Sequence, residues 1–332
     1  MKRIHHLTWL LMVILLLLPS CSEDNDCDEG LVEIVNSTTP LPAESYGDNL
    51  LDCRLPKVQR FEFPAFEGGV FRGEQNTQVI VPAQSIVDQN GEPIDVTVTL
   101  ELIEMYSPGA IIACQLSTNG LSTTGIVEPL LSEGIYYINL VAPGQDITLL
   151  NPINVFTPSN NEELLLFQFN SLSCQELECK VLWEINPDAG VEPSIIDNPD
   201  GTLITGYQTS VIELGWVSLS RYNPTDAERT IVYNKAPTAF NGSNSDTFLL
   251  YNSESIAVAL FDRYDTSLNV FSETYGQIPL DTPASYILVT HQQGMYQYAW
   301  QTSSIGRDQI GFTPEVLSAT ETSFITQVNS LQ

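Results

Sequence analysis

The sequence is poor in histidine, in basic side chains and in charge overall. Its 332 residues include 3 His, and 12 Lys plus Arg stand against 41 Asp plus Glu, which gives a formal net charge of −29 at pH 7. A chain this acidic repels phosphate groups, which excludes nucleic acid as a partner. Charged residues make up only 16% of the chain and apolar residues 43%, so we expect a folded core and not a disordered acidic protein.

Histidine and cysteine are also too sparse for several common sites. His5 and His6 lie near the N-terminus, which leaves His291 for the rest of the chain. A site built on two histidines is therefore excluded there, and a Ser or Cys nucleophile would depend on this one imidazole. The 6 Cys contain no C-x-x-C pair, so we expect neither structural zinc nor a cofactor. His291 flanks a predicted turn at Gly294, where we expect no catalytic role.

The first twenty residues have the pattern of an export signal. Lys2 and Arg3 precede an apolar run over residues 7–18. The 12 residues of this run are too few to cross a hydrocarbon core of about 30 Å as a helix, but they suit the centre of a signal peptide. Leu18-Pro19-Ser20-Cys21 resembles a bacterial lipobox. The resemblance implies a lipoprotein signal peptide over residues 1–20 and lipid, such as palmitate, on Cys21.

An acidic segment follows the candidate lipidation site. Residues 21–53 contain nine Asp and Glu and no basic residue. Like charges repel and extend a chain, so we predict a flexible tether over residues 21–55. Ser22-Glu23-Asp24-Asn25-Asp26 resembles the acidic export tag of Bacteroidota surface lipoproteins, and a plain solvated linker is the alternative. The resemblance implies a lipid-anchored protein of the outer membrane that is exposed at the cell surface.

Export would place the remaining cysteines in an oxidising compartment, where disulfides form. Cys174 and Cys179 are close enough in sequence to close a local loop, and Cys27 with Cys53 would join the tether to the first domain. Cys114 stands in an apolar stretch, and we expect it to be a small buried residue.

Most of the chain beyond the tether reads as short strands. Residues 94–102 alternate apolar and polar side chains, which is the period of a half-buried strand, and the chain has 20 Gly and 20 Pro. We predict an all-β protein with two β-sandwich domains, over residues 56–160 and 203–332, joined by connecting strands and a turn-rich linker over 161–202. Ser318 and Glu321 have capping-box spacing, and Phe324 and Val328 follow at helical intervals, which predicts a short C-terminal helix.

Several segments of the first predicted domain together resemble a ZU5-type β domain of Bacteroidota lipoproteins. They are Val81-Pro82-Ala83, the turn over residues 88–93, the strand over 96–103 and the segment 131–136. ZU5 domains serve as interaction modules, and some cleave themselves at a His-Phe-Ser site. His291 is followed by Gln292 and Gln293, so that site is missing. The resemblance implies a binding or scaffolding role.

A second segment is similar to another signature of those lipoproteins. Leu214-Gly215-Trp216 and Arg221-Tyr222 keep its ends. Between them, Ser218, Leu219 and Ser220 replace the Asn, Cys and Asp of the signature. The similarity therefore implies structure at this segment and no function that needs those three side chains.

A glycoside hydrolase is the enzyme class that the composition permits best, because it needs two carboxylates and no histidine. Glu101, Glu104 and Asp262 are candidates, but among 41 Asp and Glu a pair is easily found by chance. We therefore predict a non-enzymatic binding or scaffolding protein for protein or neutral-glycan contacts. The alternative is a carboxylate-dependent glycan hydrolase or a carbohydrate-binding accessory protein.

Two further sets of residues are candidate binding sites. Tyr296, Tyr298 and Trp300 are spaced by two and share one face of a strand, which is either a ligand surface or part of the core. Asp197 and Asp200 are a weak calcium candidate, with a plain turn as the alternative.

Overall fold

The computed structural model describes residues 33–34, 43–169, 180, 182–198, 200–292, 294–312 and 315–332. Strands make up most of the regular secondary structure of these residues and helices are few, which confirms the prediction of an all-β protein. The signal segment, Cys21, Cys27, Cys174 and Cys179 lie outside the described residues. The lipid and the disulfide predicted for them stay predictions.

The strands are numbered in chain order. They are β1 Glu33–Ile34, β2 Gln59–Pro64, β3 Gly69–Arg72, β4 Gln78–Val81, β5 Ile86–Val87, β6 Thr97–Met105, β7 Asn119–Leu121, β8 Val127–Pro129, β9 Leu131–Val141, β10 Thr148–Leu149, β11 Ile153–Pro158, β12 Leu165–Phe169, β13 Trp183–Ile185, β14 Val191–Asp197, β15 Leu203–Val211, β16 Gly215–Arg221, β17 Arg229–Thr230, β18 Tyr233–Lys235, β19 Asp246–Tyr251, β20 Val258–Leu260, β21 Arg263–Asp265, β22 Val270–Ser272, β23 Ile278–Pro279, β24 Pro283–Gln292, β25 Met295–Ser304, β26 Ile310–Phe312 and β27 Leu317–Ala319. The helices are α1 Ala43–Arg54, a 3-10 turn Leu55–Lys57, α2 Pro108–Ala113 and α3 Glu321–Asn329.

Hydrogen bonds join most strands into four larger sheets. Their strand orders are β2-β6-β9-β16-β12-β13-β7-β8 in the eight-stranded sheet, β14-β15-β11-β4-β3 in the five-stranded sheet, β1-β27-β25-β24-β19-β20 in the six-stranded sheet and β21-β22-β18-β26 in the four-stranded sheet. Two smaller sheets pair β5 with β10 and β17 with β23.

Three apolar clusters order the larger sheets as a stack, and β6 shows how the stack begins. Leu100 and Leu102 belong to a cluster shared with the five-stranded sheet, whereas Ile103 and Met105 belong to a cluster shared with the six-stranded sheet. Successive residues of a strand point to opposite faces, so the eight-stranded sheet is covered on both sides.

The six-stranded sheet is covered on both sides in the same way. On β24, Ile287 and Val289 join the cluster shared with the eight-stranded sheet, while Tyr286 and Leu288 join a third cluster shared with the four-stranded sheet. The stack therefore runs from the five-stranded through the eight- and six-stranded to the four-stranded sheet. Full burial of each large apolar side chain contributes about 1.5–3 kcal/mol, so both inner sheets are stabilised from two faces.

The stack does not divide the chain at residue 203, where we expected the second domain to begin. β15 pairs with β11 in the five-stranded sheet, and β16 pairs with β9 in the eight-stranded sheet. Both strands therefore belong to sheets that are formed mainly by residues before 203. The expected linker over 161–202 also supplies β12 and β13 to the eight-stranded sheet and β14 to the five-stranded sheet. Proline weighs against a strand, but Pro193 lies in an edge strand, where the loss of one N–H is tolerated.

Residues 43–54, expected to belong to the flexible tether, form α1 and dock on the stack. Tyr46, Leu50 and Cys53 are buried, and their spacing of four and three places them on one helix face. Cys53 is disulfide-bonded to Cys114, which caps the C-terminus of α2. The predicted pair of Cys27 with Cys53 is therefore wrong. Cys114 is buried as expected, but it is a disulfide partner.

The predicted C-terminal helix is present as α3, with a different N-cap. The backbone N–H of Ser323 donates to the hydroxyl of Thr320, whereas Ser318 lies in β27. Phe324 and Val328 are buried, as their spacing predicts.

Candidate functional site

The aromatic face predicted on β25 is part of the core. Tyr296 and Tyr298 are 4% and 1% exposed, and burial raises the pKa of both phenols. Trp300 is partly buried and packs against the same cluster. Phe324 of α3 covers the face, because its ring stacks on Tyr296 with centroids 4.7 Å apart and meets Tyr298 edge-on at 4.9 Å. The core alternative is correct for both tyrosines, and they are not available to a ligand.

Asp197 and Asp200, the weak calcium candidate, flank the turn between β14 and β15. Asp200 accepts hydrogen bonds from the hydroxyl of Thr202 at 2.6 Å and from its N–H at 2.9 Å, and these bonds lower the pKa of Asp200. The carbonyl oxygen of Asp197 accepts from Arg72. Within the part of the chain that the structure describes, no three His, Cys, Asp or Glu side chains group as metal ligands. The contacts fit the turn alternative.

Two of the three candidate carboxylates for glycan hydrolysis, Glu101 and Glu104, do not converge. Glu101 and Glu104 are three residues apart on β6 and so point to opposite faces of the sheet. Glu101 pairs with Arg60, whereas Glu104 is buried and accepts from the N–H of Thr77 at 2.9 Å. Asp262 lies between β20 and β21. Glu101 and Glu104 therefore cannot act together from one side of the sheet.

His291 lies near the end of β24, beside the core. Its ring is 4.7 Å from that of Tyr296, and burial lowers the pKa of the imidazole. This position gives the side chain a packing role. The expectation that it has no catalytic role stays a prediction.

A cleft of 980 Å³ lies between the loop that follows β11 and the edge formed by β14 and β15. We call it the edge cleft. It is lined by residues 159–164 of the loop, by Val191 and residues 193–195 of β14, and by residues 205–207 of β15. A cavity of 560 Å³ shares Ser159, Asn160, Asn161 and Thr205 with it. Small-molecule sites span about 300–1,000 Å³, so the edge cleft has the size of a binding site.

The floor of the edge cleft is an extension of the inner face of the five-stranded sheet. The register pairs Ile195 with Thr205, and Thr209 lies on the same face of β15. Thr209 pairs with Val155, and both are buried in the stack. Towards the hairpin end, however, Ile195 is 59% and Leu203 65% exposed. The sheet face thus runs past the core and leaves apolar surface open.

A hydrogen-bond network centred on Glu133 fixes the loop that forms the other wall. The Glu133 carboxylate accepts from Ser159 Oγ at 3.0 Å, Asn161 Nδ2 at 2.7 Å and Ser255 Oγ at 2.9 Å. On the cleft side, the Tyr207 hydroxyl donates to the carbonyl oxygen of Asn161 at 2.7 Å. The loop is held from both sides, so the wall is formed before any ligand arrives.

The cleft lining combines a polar wall with a partly apolar floor and carries negative charge. Asn160, Glu162 and Glu163 are exposed, and no Lys or Arg lines the cleft. The Asn160 side-chain oxygen accepts from the Thr205 hydroxyl at 2.7 Å, which orients its amide group. An anionic ligand would meet only like charge here. A neutral ligand with many hydroxyls would find amide, hydroxyl and carboxylate partners beside the apolar surface of Ile195.

The segment that is similar to the second lipoprotein signature forms β16 and is buried. The ring of Trp216 is fully buried and lies 5.2 Å from that of Tyr137. Ser218 and Ser220 are also buried, and their hydroxyls are 2.7 Å apart. These positions are inside the stack, so their role here is structural.

Comparison with protein-family models, with curated proteins and with solved structures finds no match to this chain. The resemblance to ZU5-type domains therefore stays a prediction. Among the residues with described positions, no helix has the length and apolar character that a membrane crossing needs.

The sequence reasoning missed the edge cleft. Ile195 and Leu203 fell in a segment interpreted as a turn-rich linker and its border. The available signal was a hairpin, since every second residue over 191–195, before the turn near Gly201, is apolar, and every second residue over 203–211, after it, is apolar, aromatic or β-branched. The polar run over residues 159–163 between two strands was the second signal.

Proposed function

We propose that the protein is a non-enzymatic binding module that lipid on Cys21 anchors in the outer membrane, exposed at the cell surface. Its binding site is the edge cleft and its ligand is a segment of neutral glycan. The observation that carries this proposal is the cleft of 980 Å³ with an open apolar floor and a polar wall that Glu133 holds in place.

A glycan suits this combination of groups. Sugar hydroxyls donate and accept hydrogen bonds, which matches the amide of Asn160 and the carboxylate of Glu162. The apolar faces of sugar rings can pack on Ile195 and Pro193. The cleft is open at the surface, so it can take a stretch within a longer chain. Glu101 and Glu104 point to opposite faces of their sheet, so the proposal is binding and not hydrolysis.

The fold also fits a finer assignment, which we propose with the function. The five- and eight-stranded sheets form a first sandwich, similar to a ZU5 domain, and the six- and four-stranded sheets form a second. One apolar cluster fills each sandwich and the remaining cluster joins them. An interaction module of this kind needs no catalytic residues.

Isothermal titration calorimetry with neutral oligosaccharides derived from cellulose, xylan, mannan and starch tests the binding site. Thr205→Trp places a large side chain in the edge cleft, whereas Ser210→Trp changes another exposed residue of β15 outside it. We expect the parent and Ser210→Trp to bind at least one oligosaccharide, and Thr205→Trp to bind it at least about tenfold more weakly. The proposal fails if none of these oligosaccharides binds, or if Thr205→Trp binds as tightly as the parent.

A further inference from the structure

The four-stranded sheet closes the stack at the end opposite the five-stranded sheet. Its inner face is tightly packed. Asn234 and Phe271 are buried there, and a Cβ atom added at Gly311 would lie 2.7 Å from the ring of Tyr286. The sheet is therefore fixed from one side, and the alternate residues of its strands point outward.

The strand register arranges eight outward residues in two rows across the sheet. The first row is Arg263, Ser272, Tyr233 and Ile310, and the second is Asp265, Val270, Lys235 and Phe312. We call these eight residues the outer tile. Ile310 is 62% and Phe312 50% exposed, and the neighbouring turn residue Leu268 is 65% exposed. The outer tile thus combines exposed apolar side chains with two basic ones and one acidic one, whereas Ser272 in its first row is only 6% exposed.

The two bases of the outer tile are available to a partner. Lys235 and Arg263 are exposed, and neither forms a salt bridge or a side-chain hydrogen bond with another residue that the structure describes. Asp265 is the acidic member of the tile, and the Ser267 hydroxyl and, to a smaller degree, the charge of Arg263 lower the pKa of its carboxyl. Its carboxylate already accepts hydrogen bonds from the N–H and the hydroxyl of Ser267. The tile therefore carries two bases and one acid beside exposed apolar side chains, whereas the chain as a whole has a net charge of −29.

We propose that the outer tile docks an extended acidic segment of a partner protein. Carboxylates of the segment pair with Lys235 and Arg263, and its apolar side chains pack on Ile310 and Phe312. The bases lie two strands and two residues apart, which is roughly 12 Å at a strand spacing of about 4.8 Å and a rise of about 3.3 Å per residue. An extended segment matches this separation when its carboxylates are about three or four residues apart.

A short acidic segment is favoured over an anionic membrane or a second copy of the chain, because it brings few charges to the tile. At physiological salt, charges are screened beyond about 8 Å, so a segment on the tile responds chiefly to the tile's own charges, which are Lys235, Arg263 and Asp265. An anionic membrane or a second copy would instead bring many negative charges towards a chain of net charge −29. Strand addition at the edge of β26 is hindered, because the N–H of Phe312 donates to the side chain of Gln301 at 2.6 Å.

A labelled peptide tests the outer tile, with fluorescence anisotropy as the readout. The probe has two glutamates four positions apart with leucine and phenylalanine between them, and its control has glutamine at both glutamate positions. We expect saturable binding of the probe and at least about tenfold weaker binding of the control. Lys235→Gln and Phe312→Ser should each raise the Kd about fivefold or more. Arg60→Gln is the control, because it removes one positive charge, as Lys235→Gln does, from a side chain that is 53% exposed and lies outside the tile. It should leave the Kd unchanged.

Several results overturn the proposal. They are no saturable binding of the probe, equal binding of the glutamine control, or an unchanged Kd in Lys235→Gln and Phe312→Ser. Binding to phosphatidylglycerol vesicles that Phe312→Ser abolishes would assign the tile to membranes, and dimerisation that Phe312→Ser abolishes would assign it to a second copy. Phe312 is half exposed, so its variant should fold, and circular dichroism checks this. Thr205→Trp should bind the peptide as the parent does, which separates this proposal from the glycan site.

Discussion

Arg54 donates two hydrogen bonds to the backbone carbonyl oxygen of Cys114, from Nε at 3.1 Å and from Nη2 at 2.8 Å. Its guanidinium also lies 5.1 Å from the centre of the Trp216 ring. Because Cys114 is disulfide-bonded to Cys53, two consecutive residues of α1 are attached to one residue beside α2. The two attachments can be removed separately.

The first prediction concerns the guanidinium. Arg54 is fully buried, and burial lowers its pKa to about 9. Arg54→Ala leaves a cavity and removes both bonds to Cys114, so we expect the free energy of unfolding to fall by about 2–4 kcal/mol. Arg60→Ala is the control. Its side chain is 53% exposed and paired with Glu101, and its loss should cost less than about 1 kcal/mol. Urea unfolding measures both, and equal losses would contradict the prediction.

The second prediction concerns the disulfide. Cys53 and Cys114 are 61 residues apart in sequence. Removing this cross-link in Cys53→Ala/Cys114→Ala restores chain entropy to the unfolded state, so we expect a loss of about 4 kcal/mol in the free energy of unfolding. The same variant should be cut by protease within α1 before the stack unfolds. Unchanged stability and unchanged cleavage would show that the bond does not hold α1.

The third prediction concerns the backbone beneath the edge cleft. A Cβ atom at Gly206 would lie 2.2 Å from the carbonyl oxygen of Thr157, whereas nothing lies within 4 Å of one at Gly190. Gly206→Ala must therefore shift β15 against β11, and we expect a loss of about 1–3 kcal/mol together with weaker oligosaccharide binding. Gly190→Ala should leave both properties near those of the parent. Thermal unfolding measures the stability of both variants, and calorimetry measures their oligosaccharide binding. A Gly206→Ala variant as stable as the parent would contradict the close packing of β15 on β11.

The fourth prediction concerns high pH. Burial raises the pKa of Tyr136, Tyr251 and Tyr298 above the ordinary value of 10.0, and raises that of Tyr286 to about 12. The unfolded chain loses these protons near pH 10, but the folded chain keeps them. The folded state then holds more protons than the unfolded state. The contribution of these tyrosines to the free energy of unfolding is therefore fully present below pH 10 and is lost as the pH rises, for Tyr286 between pH 10 and about pH 12.

Arg54 opposes this trend, because its lowered pKa lets the folded state release a proton first. The tyrosines outnumber it, so we expect cooperative unfolding above pH 10, followed by near-ultraviolet circular dichroism. The hydroxyl of Tyr286 has no hydrogen-bond partner within the described structure. The Tyr286→Phe variant should therefore still fold, and the midpoint of its alkaline unfolding should lie at a higher pH than that of the parent. A midpoint that does not move would exclude ionisation of Tyr286 as a cause.

The fifth prediction concerns the proposed anchor. Cys21→Ala removes the candidate lipid attachment site, and we expect the protein to move from the membrane fraction to the soluble fraction. Cys27→Ala is the matched control, because it changes a cysteine six positions away in the same acidic segment, and it should stay with the membrane. Cell fractionation with immunodetection measures this. Membrane retention of Cys21→Ala would refute the lipid anchor.

Local patterns predicted the strands and the C-terminal helix, because these depend on residues close in sequence. The alternation over residues 94–102 overlaps β6, Thr97–Met105, and the spacing of Phe324 and Val328 corresponds to α3. Pairing depends on distant residues, so the sequence could not show that β15 and β16 join earlier strands. It also gave no reason to join Cys53 to Cys114. For α1, the helical spacing of Tyr46, Leu50 and Cys53 was present but stood within an acidic segment.

The binding surfaces were harder to predict than the strands. Tyr296 and Tyr298 share a strand face, as their spacing predicted, but only the position of α3 shows that this face is covered. The edge cleft depends on how far a sheet extends beyond its core. Ile195 and Leu203 are apolar and would be assigned to the core by pattern alone, yet both are mostly exposed.

The bond between Cys53 and Cys114 also determines how the protein responds to mechanical force. A pull on the chain before Cys53 passes through the covalent bond to Cys114, so the strands between these residues bear no load along the chain. The two cysteines are 61 positions apart in sequence, and the segment between them would add roughly 200 Å of extension if released. In an oxidising medium the disulfide stays intact, so this segment cannot extend. For a molecule held by its N-terminus, β2 to β6 therefore lie outside the covalent path that carries the force.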